Sequence, residues 1–248
     1  MASSDASAPP VIVVTGSSRG LGRAIALRCG RAGWRVVVHC RTRRAEAEAV
    51  AKAIIEAGGR ALVLQADVTI PGTFPQIVEQ TVTHWGRIDA WVNNAGVVDD
   101  RLVVSTPDDA WDRVIATDLT AAWRATQAVA PVMARQRGGA ILNVSSIAAL
   151  QGRRGQSAYS AAKAGLIAFT RSSARELGPD NIRVNAVCPP VLDTESVGAT
   201  AETLREQQLI PGVISPEDAA DTMFSILSLP WISGQIFVMD SRIPAGTL

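Results

Sequence analysis

Tyr159 is the only tyrosine in the 248-residue chain, and Lys163 follows four residues later in Ser157-Ala158-Tyr159-Ser160-Ala161-Ala162-Lys163. On a helix, residues four apart share a face, one above the other. An ammonium beside a phenol favours phenolate and lowers a pKa that otherwise lies near ~10. The pair is then a proton donor and acceptor able to work near neutral pH. The same spacing also decorates ordinary helix faces, so its use depends on whether the other elements build a site around it.

The first of those elements is Val11–Val14, a continuous β-branched run of the kind buried on both sheet faces. It runs into Thr15-Gly16-Ser17-Ser18-Arg19-Gly20-Leu21-Gly22, and a helical pattern follows over residues 21–32. Strand, glycine loop and helix form the layout of a nucleotide-phosphate cradle. The glycines let the backbone approach a pyrophosphate, and the helix N-terminus offers free N–H groups. The spacing is Gly-x-x-x-Gly-x-Gly with no P-loop lysine, which disfavours an NTPase. The second strand, Arg35–Cys40, is followed by Arg41-Thr42-Arg43-Arg44, with no acid before Glu46. An acid there would bind an adenosine ribose. The basic side chains at that point, Arg41, Arg43 and Arg44, with Arg19 of the glycine loop, would instead accept a 2′-phosphate, which favours NADP(H) over NAD(H).

The alternation continues. Helical patterns at 45–57 and 71–85 separate strands at 61–65 and 88–92, and the latter strand ends in Asn93-Asn94-Ala95-Gly96. Small and hydrogen-bonding side chains in such a turn can pack beneath a flat cofactor. A long helical region is expected over 106–136, interrupted near its end by Pro131. Strands at 140–144, 183–187 and 235–239, and helices at 156–177 and 216–227, complete the pattern. Ser145 and Ser146 fall at the carboxyl end of the fifth strand, where open α/β sheets bind ligands. Neighbours in extended chain point to opposite sides, so only one should face a site. Residues 193–214 are polar and mixed, and read as a mobile flap with a short helix. The expected fold is one α/β domain over 11–248, a Rossmann-type doubly wound parallel seven-stranded sheet with helices on both faces, preceded by a frayed tail at 1–10.

Composition narrows the function. A hydrophobic share of 47%, a charged share of 19% and a net charge of +1 describe a globular chain without the basic balance of a nucleic-acid or membrane-surface binder. Three cysteines, Cys29, Cys40 and Cys188, have no paired metal spacing and suit a reducing, cytoplasmic setting. His39 and His84 are too far apart in sequence to suggest a metal site. No apolar run approaches the ~18 residues of a membrane span.

These motifs, Thr15 to Gly22, Asn93-Asn94-Ala95-Gly96, Ser146 and Tyr159-Ser160-Ala161-Ala162-Lys163, in this order and spacing, resemble the short-chain dehydrogenase/reductase family. The likeness spans residues 11–240. It looks most like the 3-oxoacyl-acyl-carrier-protein reductase branch, through the stretch 159–175 and Asn181-Ile182-Arg183-Val184-Asn185. The resemblance implies NADPH-dependent reduction of a carbonyl, foremost a 3-oxoacyl thioester. Tyr159 would donate the proton, Lys163 would lower the phenol pKa and hold the nicotinamide ribose, and Ser146 would stabilise charge on the carbonyl oxygen. The family's Ser-to-Tyr separation favours Ser146 over Ser145. Gly16, Ser18, Arg19, Gly20, Leu21 and Gly22 would line the diphosphate and adenosine end, and Arg41 the 2′-phosphate. Asp67 and Val68 would flank the adenine, and Asn94, Ala95 and Gly96 the ribose. Pro189, Leu192 and Thr194 would meet the nicotinamide amide. No metal is implied.

Three departures stand out. Asp118 replaces an asparagine that helps hold a proton-relay water, and its charge could raise the lysine pKa. Pro190 replaces a glycine, and Asp240-Ser241-Arg242 stands where Gly-Gly usually follows Asp. An acyl carrier protein is acidic, so a basic patch beside the site is expected. Arg137 with Arg135 fits one such position, Asp180 occupies the other, and Arg153 and Arg154 could compensate. Two other readings remain open: a reductase or dehydrogenase of a free small alcohol, sugar or cyclic ketone, and a catalytically weak nucleotide-binding regulator. The small-residue helix carrying Tyr159 also suits the homotetramers common in the family.

Overall fold

In the computed structural model, residues 8–192 and 214–240 are described. Seven parallel strands form one sheet: β1 (Val11–Val14), β2 (Arg35–Cys40), β3 (Arg60–Gln65), β4 (Ala90–Asn93), β5 (Gly139–Val144), β6 (Ile182–Cys188) and β7 (Ile236–Val238). Their spatial order is β3-β2-β1-β4-β5-β6-β7. The crossovers therefore run one way from β1 to β3 and the other way from β4 to β7. The seam lies between β1 and β4, where Ile12 to Val14 pair with Ala90 to Val92.

Strand periodicity explains why helices must cover both faces. Ile12, Val14, Val36, Val38 and Leu142 point into one core with Ile25 of α1 (Gly20–Arg31), Ile54 of α2 (Arg44–Glu56) and Met223 of α8 (Pro216–Ser228). Val13, Val37, Trp91 and Ile141 point the other way, onto Phe74 of α3 (Thr73–Trp85) and Val129 of α5 (Ala121–Gln136). All four side chains of β1 are fully buried. At about 1.5–3 kcal/mol for each large apolar side chain removed from water, this strand anchors both cores. The arrangement is the doubly wound one the sequence implies. Pro10 already belongs to it, since its carbonyl accepts from Arg35 N–H at 2.8 Å, so the expected tail stops short of Pro10.

The long helical region differs from expectation in two respects. It begins after Pro107 as α4 (Asp108–Ile115), and Pro131 does not break it, because α5 runs through to a left-handed Arg137 at φ 60°. Proline removes one helical hydrogen bond, and packing of Val129, Val132 and Met133 on the core holds the helix across that gap. The irregularity lies earlier, between α4 and α5, where Ala116–Thr120 widens into a π-helical turn. Such turns concentrate at functional sites, and this one buries Thr117 and Asp118.

The catalytic-helix candidate, α7 (Ser157–Leu177), is pinned to the sheet by buried polar bonds. Trp91 Nε1 donates to Asn93 Oδ1, Asn93 Nδ2 to Asn143 Oδ1, and Asn143 Nδ2 to Thr170 Oγ1, at 2.8–2.9 Å. Ser145 Oγ donates to the Lys163 carbonyl at 2.9 Å. A fully satisfied buried network fixes one register, and this one sets the height of α7 above β5.

Candidate active site

The loop after β1 is stapled to the turn after β4. Thr15 Oγ1 donates to the Val92 carbonyl at 3.1 Å and accepts from the N–H groups of Asn94 and Ala95 at 2.9 and 3.0 Å. Asn94 Nδ2 donates back to the carbonyl of Thr15 at 2.8 Å. The fit leaves no room at two glycines. Gly16 has φ +65°, and a Cβ there would lie 3.0 Å from Ala95 Cα. A Cβ on Gly22 would lie 2.5 Å from the Gly16 carbonyl oxygen and collide with Asn94 Nδ2. Helix α1 starts from an extended Arg19 with no side-chain cap. Its first N–H groups border a cavity of about 870 Å³. Uncapped donors at a helix N-terminus suit a diphosphate.

This cavity runs over Gly16, Ser18, Arg19, Gly20, Leu21 and Gly22, past Arg41, Asp67 and Val68, to Asn94, Ala95 and Gly96. Arg43 and Arg44 are occupied by ion pairs with Glu46 and Glu48. Burial opposes charge on Asp67. Hydrogen bonds from the N–H and hydroxyl of Thr69, with the Arg41 guanidinium, hold its carboxyl below the usual range. The residues fit a nicotinamide dinucleotide: free donors for the diphosphate, a cationic strand exit for the adenosine end, and glycines where no Cβ can stand.

The seam continues into a second cavity of about 240 Å³, lined by Asn94, Gly96, Asp118, Ser146, Tyr159, Lys163, Pro189, Pro190 and Leu192. Lys163 is 3% exposed. Its Nζ donates to the Val144 carbonyl at 2.9 Å, lies 3.0 Å from Asp118 Oδ1, and sits 5.5 Å from the centre of the Tyr159 ring. Asp118 Oδ2 accepts from Val97 N–H at 2.9 Å. Burial pulls the lysine pKa down, but the Asp118 carboxylate and Tyr159 outweigh it, and the net shift is upward. A Cβ on Gly96 would lie 2.6 Å from Asp118 Oδ1, so glycine is required for the carboxylate to reach the lysine.

A third cavity of about 380 Å³ opens beyond. Its walls include Val98, Ile147, Ala148, Gln151, Arg153, Gln156 and Val191. Ser146, Tyr159 and Pro190 border both this cavity and the previous one, and so stand at their junction. Against the expectation that only one would face the site, both serines border the second cavity, just past the end of β5, and they differ in what their hydroxyls do. Ser145 spends its hydroxyl on α7, while Ser146 Oγ accepts from Ala148 N–H at 3.2 Å and keeps its proton.

The described candidates all line three neighbouring cavities that share wall residues. Thr194 lies outside the described residues, as do all but the last residue of the flap expected at 193–214 and the Ser241-Arg242 departure. One expectation fails within a single subunit. Arg137 and Asp180 precede the amino ends of β5 and β6, about 20 Å of strand from Ser146. Arg153 is instead the basic side chain on the third cavity. Sequence reasoning missed His39, which lines the first cavity with its side chain buried. A polar residue closing the run Val36-Val37-Val38 was the available signal, because a buried polar group needs partners.

A dinucleotide cradle at the seam of a doubly wound sheet, with serine, tyrosine and lysine converging at its far end, defines a Rossmann-type oxidoreductase. The comparisons specify the family. A family model described as short chain dehydrogenase matches residues 10–205. The 3-oxoacyl-acyl-carrier-protein reductase of Synechocystis is 37% identical over 234 residues, covering 93% of this chain and 95% of that protein. The reductase of the same name from Staphylococcus epidermidis is 39% identical over 197 residues, covering 79% and 81%. The crystal structure of a Burkholderia xenovorans protein described as a short-chain dehydrogenase/reductase superposes with a TM-score of 0.88 at 31% identity, covering 95% and 98%. The chain belongs to the short-chain dehydrogenase/reductase family and is an NAD(P)-dependent oxidoreductase. No described helix is long and apolar enough to cross a membrane.

Proposed function

We propose that this protein reduces the carbonyl of a 3-oxoacyl thioester with NADPH. The observation that carries the reading is the junction: Ser146 and Tyr159 stand between the cavity beside the cradle and the cavity beyond it. A carbonyl entering from the third cavity meets both hydroxyls there. Bound NADPH supplies the hydride. Tyr159 gives its proton to the carbonyl oxygen, and Ser146 Oγ donates a hydrogen bond to the same atom as charge develops. Lys163 keeps a positive charge behind the phenol and holds the nicotinamide ribose. Asp118 holds that charge in place and joins it to the Val97 backbone. Arg41 and Arg19 bind the 2′-phosphate.

The names of the relatives support the thioester. Val98, Ile147, Ala148 and Val191 offer an apolar wall, with Arg153 available to a phosphate on a carrier arm. The unmatched Asp180 favours keeping a free ketone as the second reading. We also propose a homo-oligomer, because Ala161, Ala164 and Ala168 of α7 are exposed and Trp111 and Trp123 are 40% and 47% exposed.

The test is NADPH oxidation with a 3-oxoacyl thioester against a panel of free ketones. Turnover on the thioester, lowered by about 10²–10⁴-fold in Tyr159→Phe with NADPH binding retained, is the expected result. Turnover confined to free ketones establishes the second reading. NADPH binding without turnover on either overturns both.

A further inference from the structure

His39 lies at the end of β2, is 2% exposed, and has no part in the chemistry proposed above. Both of its ring nitrogens are bonded to backbone of other segments. Nδ1 accepts from the Gly16 N–H at 3.1 Å, and Nε2 lies 3.1 Å from the Ala66 carbonyl. Accepting at Nδ1 leaves the proton on Nε2, which then donates to Ala66. Its main chain is held as well: His39 N–H donates to Ser17 Oγ at 2.9 Å, and Ser17 N–H donates to the His39 carbonyl at 2.9 Å. One residue therefore ties the glycine loop, the end of β2 and the end of β3.

We infer that His39 is a positioning residue for the dinucleotide, clamping the glycine loop to the adenine-side turn through a neutral imidazole with its proton on Nε2. The inference rests on the NADP(H) reading of the cradle. The Gly16 N–H is spent inside the protein, so the diphosphate must use other donors, beginning with those of α1. In exchange, the wall formed by Gly16 and Ser18 is fixed relative to the wall formed by Asp67 and Val68, and all four line the first cavity. Burial lowers the His39 pKa to about 4, against the opposing Ala66 hydrogen bond and the Asp67 carboxylate. The ring is thus held neutral and oriented at working pH. Arg41 follows two residues later, so the same clamp sets the strand end from which it projects.

The clamp acts on the part of the cradle that NADPH and NADH share. His39→Leu keeps the bulk and removes both hydrogen bonds. It is expected to raise the Kd of both cofactors about tenfold or more, by leaving the Gly16 N–H unpaired, while kcat at saturation stays within about twofold. Arg41→Ala is expected to weaken NADPH alone. His39→Asn can still accept from Gly16 and should recover part of the loss. A folded His39→Leu protein with lowered Tm and unchanged Kd for both cofactors overturns the inference, since the histidine is then structural only.

A second measurement uses the unmodified chain. It has two histidines, so its imidazole ¹⁵N spectrum is simple to assign by comparison with a His84 variant. The expected His39 signature is a protonated Nε2 and a bare Nδ1 from pH 8 to about pH 5. The opposite tautomer, or a charged ring in that range, overturns the inference even where His39→Leu fails to fold. If unmodified protein binds neither cofactor, the NADP(H) reading itself falls, whatever the spectrum shows.

Discussion

At the scale of the residue, the centre of the site is an ion pair buried on both sides. Asp118 and Lys163 are 2% and 3% exposed. Removing one partner from a buried pair leaves an uncompensated charge, so Asp118→Ala is expected to lose about 3–5 kcal/mol of stability at neutral pH, measured by urea unfolding. The pH dependence follows from the upward shift of Lys163 from its ordinary 10.5. A raised pKa stabilises the fold fully below the unfolded value and loses that stabilisation as pH rises through the folded value. The difference between Asp118→Asn and the unmodified protein should therefore hold steady from pH 7 to 9 and shrink above about pH 10.5. A difference that grows with alkalinity would show that Asp118 does not hold the lysine charged. The carboxylate was legible as a departure from the family's asparagine. Its reach was not, because that depends on Gly96 having no Cβ and on the widened turn at Ala116–Thr120, and neither shows in residue spacing.

At the scale of the element, the strands were the most legible part of the chain. Val11–Val14 reads as a continuous β-branched run and Arg35–Cys40 as a buried strand centred on Val36-Val37-Val38, and both bounds hold in the structure. The helical stretch before β5 was less legible, since a proline is the strongest local signal for a break and a π turn leaves no compositional mark. Pro131 is tolerated on the exposed side of α5. Pro131→Ala restores a missing N–H donor there and is expected to stabilise the protein by about 1 kcal/mol or more, read as a rise in Tm with kcat unchanged. A fall in Tm would mean that Pro131 makes a favourable contact absent from the chain alone. The loop after β1 was legible as a cradle, but its staple to Thr15 and Asn94 joins residues 79 apart and emerges only with the β1–β4 pairing.

At the scale of the whole molecule, the exposed Trp111 and Trp123 and the alanine face of α7 belong to helices that cover one side of the sheet. Sedimentation at working concentration is expected to give a homo-oligomer, and Trp111→Glu with Trp123→Glu to shift it toward monomer. A monomer in the unmodified protein would remove the oligomer from the reading. Within one subunit the basic patch expected from sequence is not assembled beside the site, because Arg137 and Ser146 lie at opposite ends of β5. The strand order has one more consequence. Because the crossovers reverse at the β1–β4 seam, the half of the chain before it supplies most of the cofactor cradle. The half after it supplies Ser146, Tyr159, Lys163 and most of the third cavity. If those cavities take the cofactor and substrate as proposed, cofactor choice and substrate choice come from separate stretches of sequence that touch along one joint. On the proposed reading, substitutions among Ile147, Gln151, Arg153 and Val191 would redirect the enzyme toward a new carbonyl and leave Gly16, His39 and Arg41 in place for the same dinucleotide.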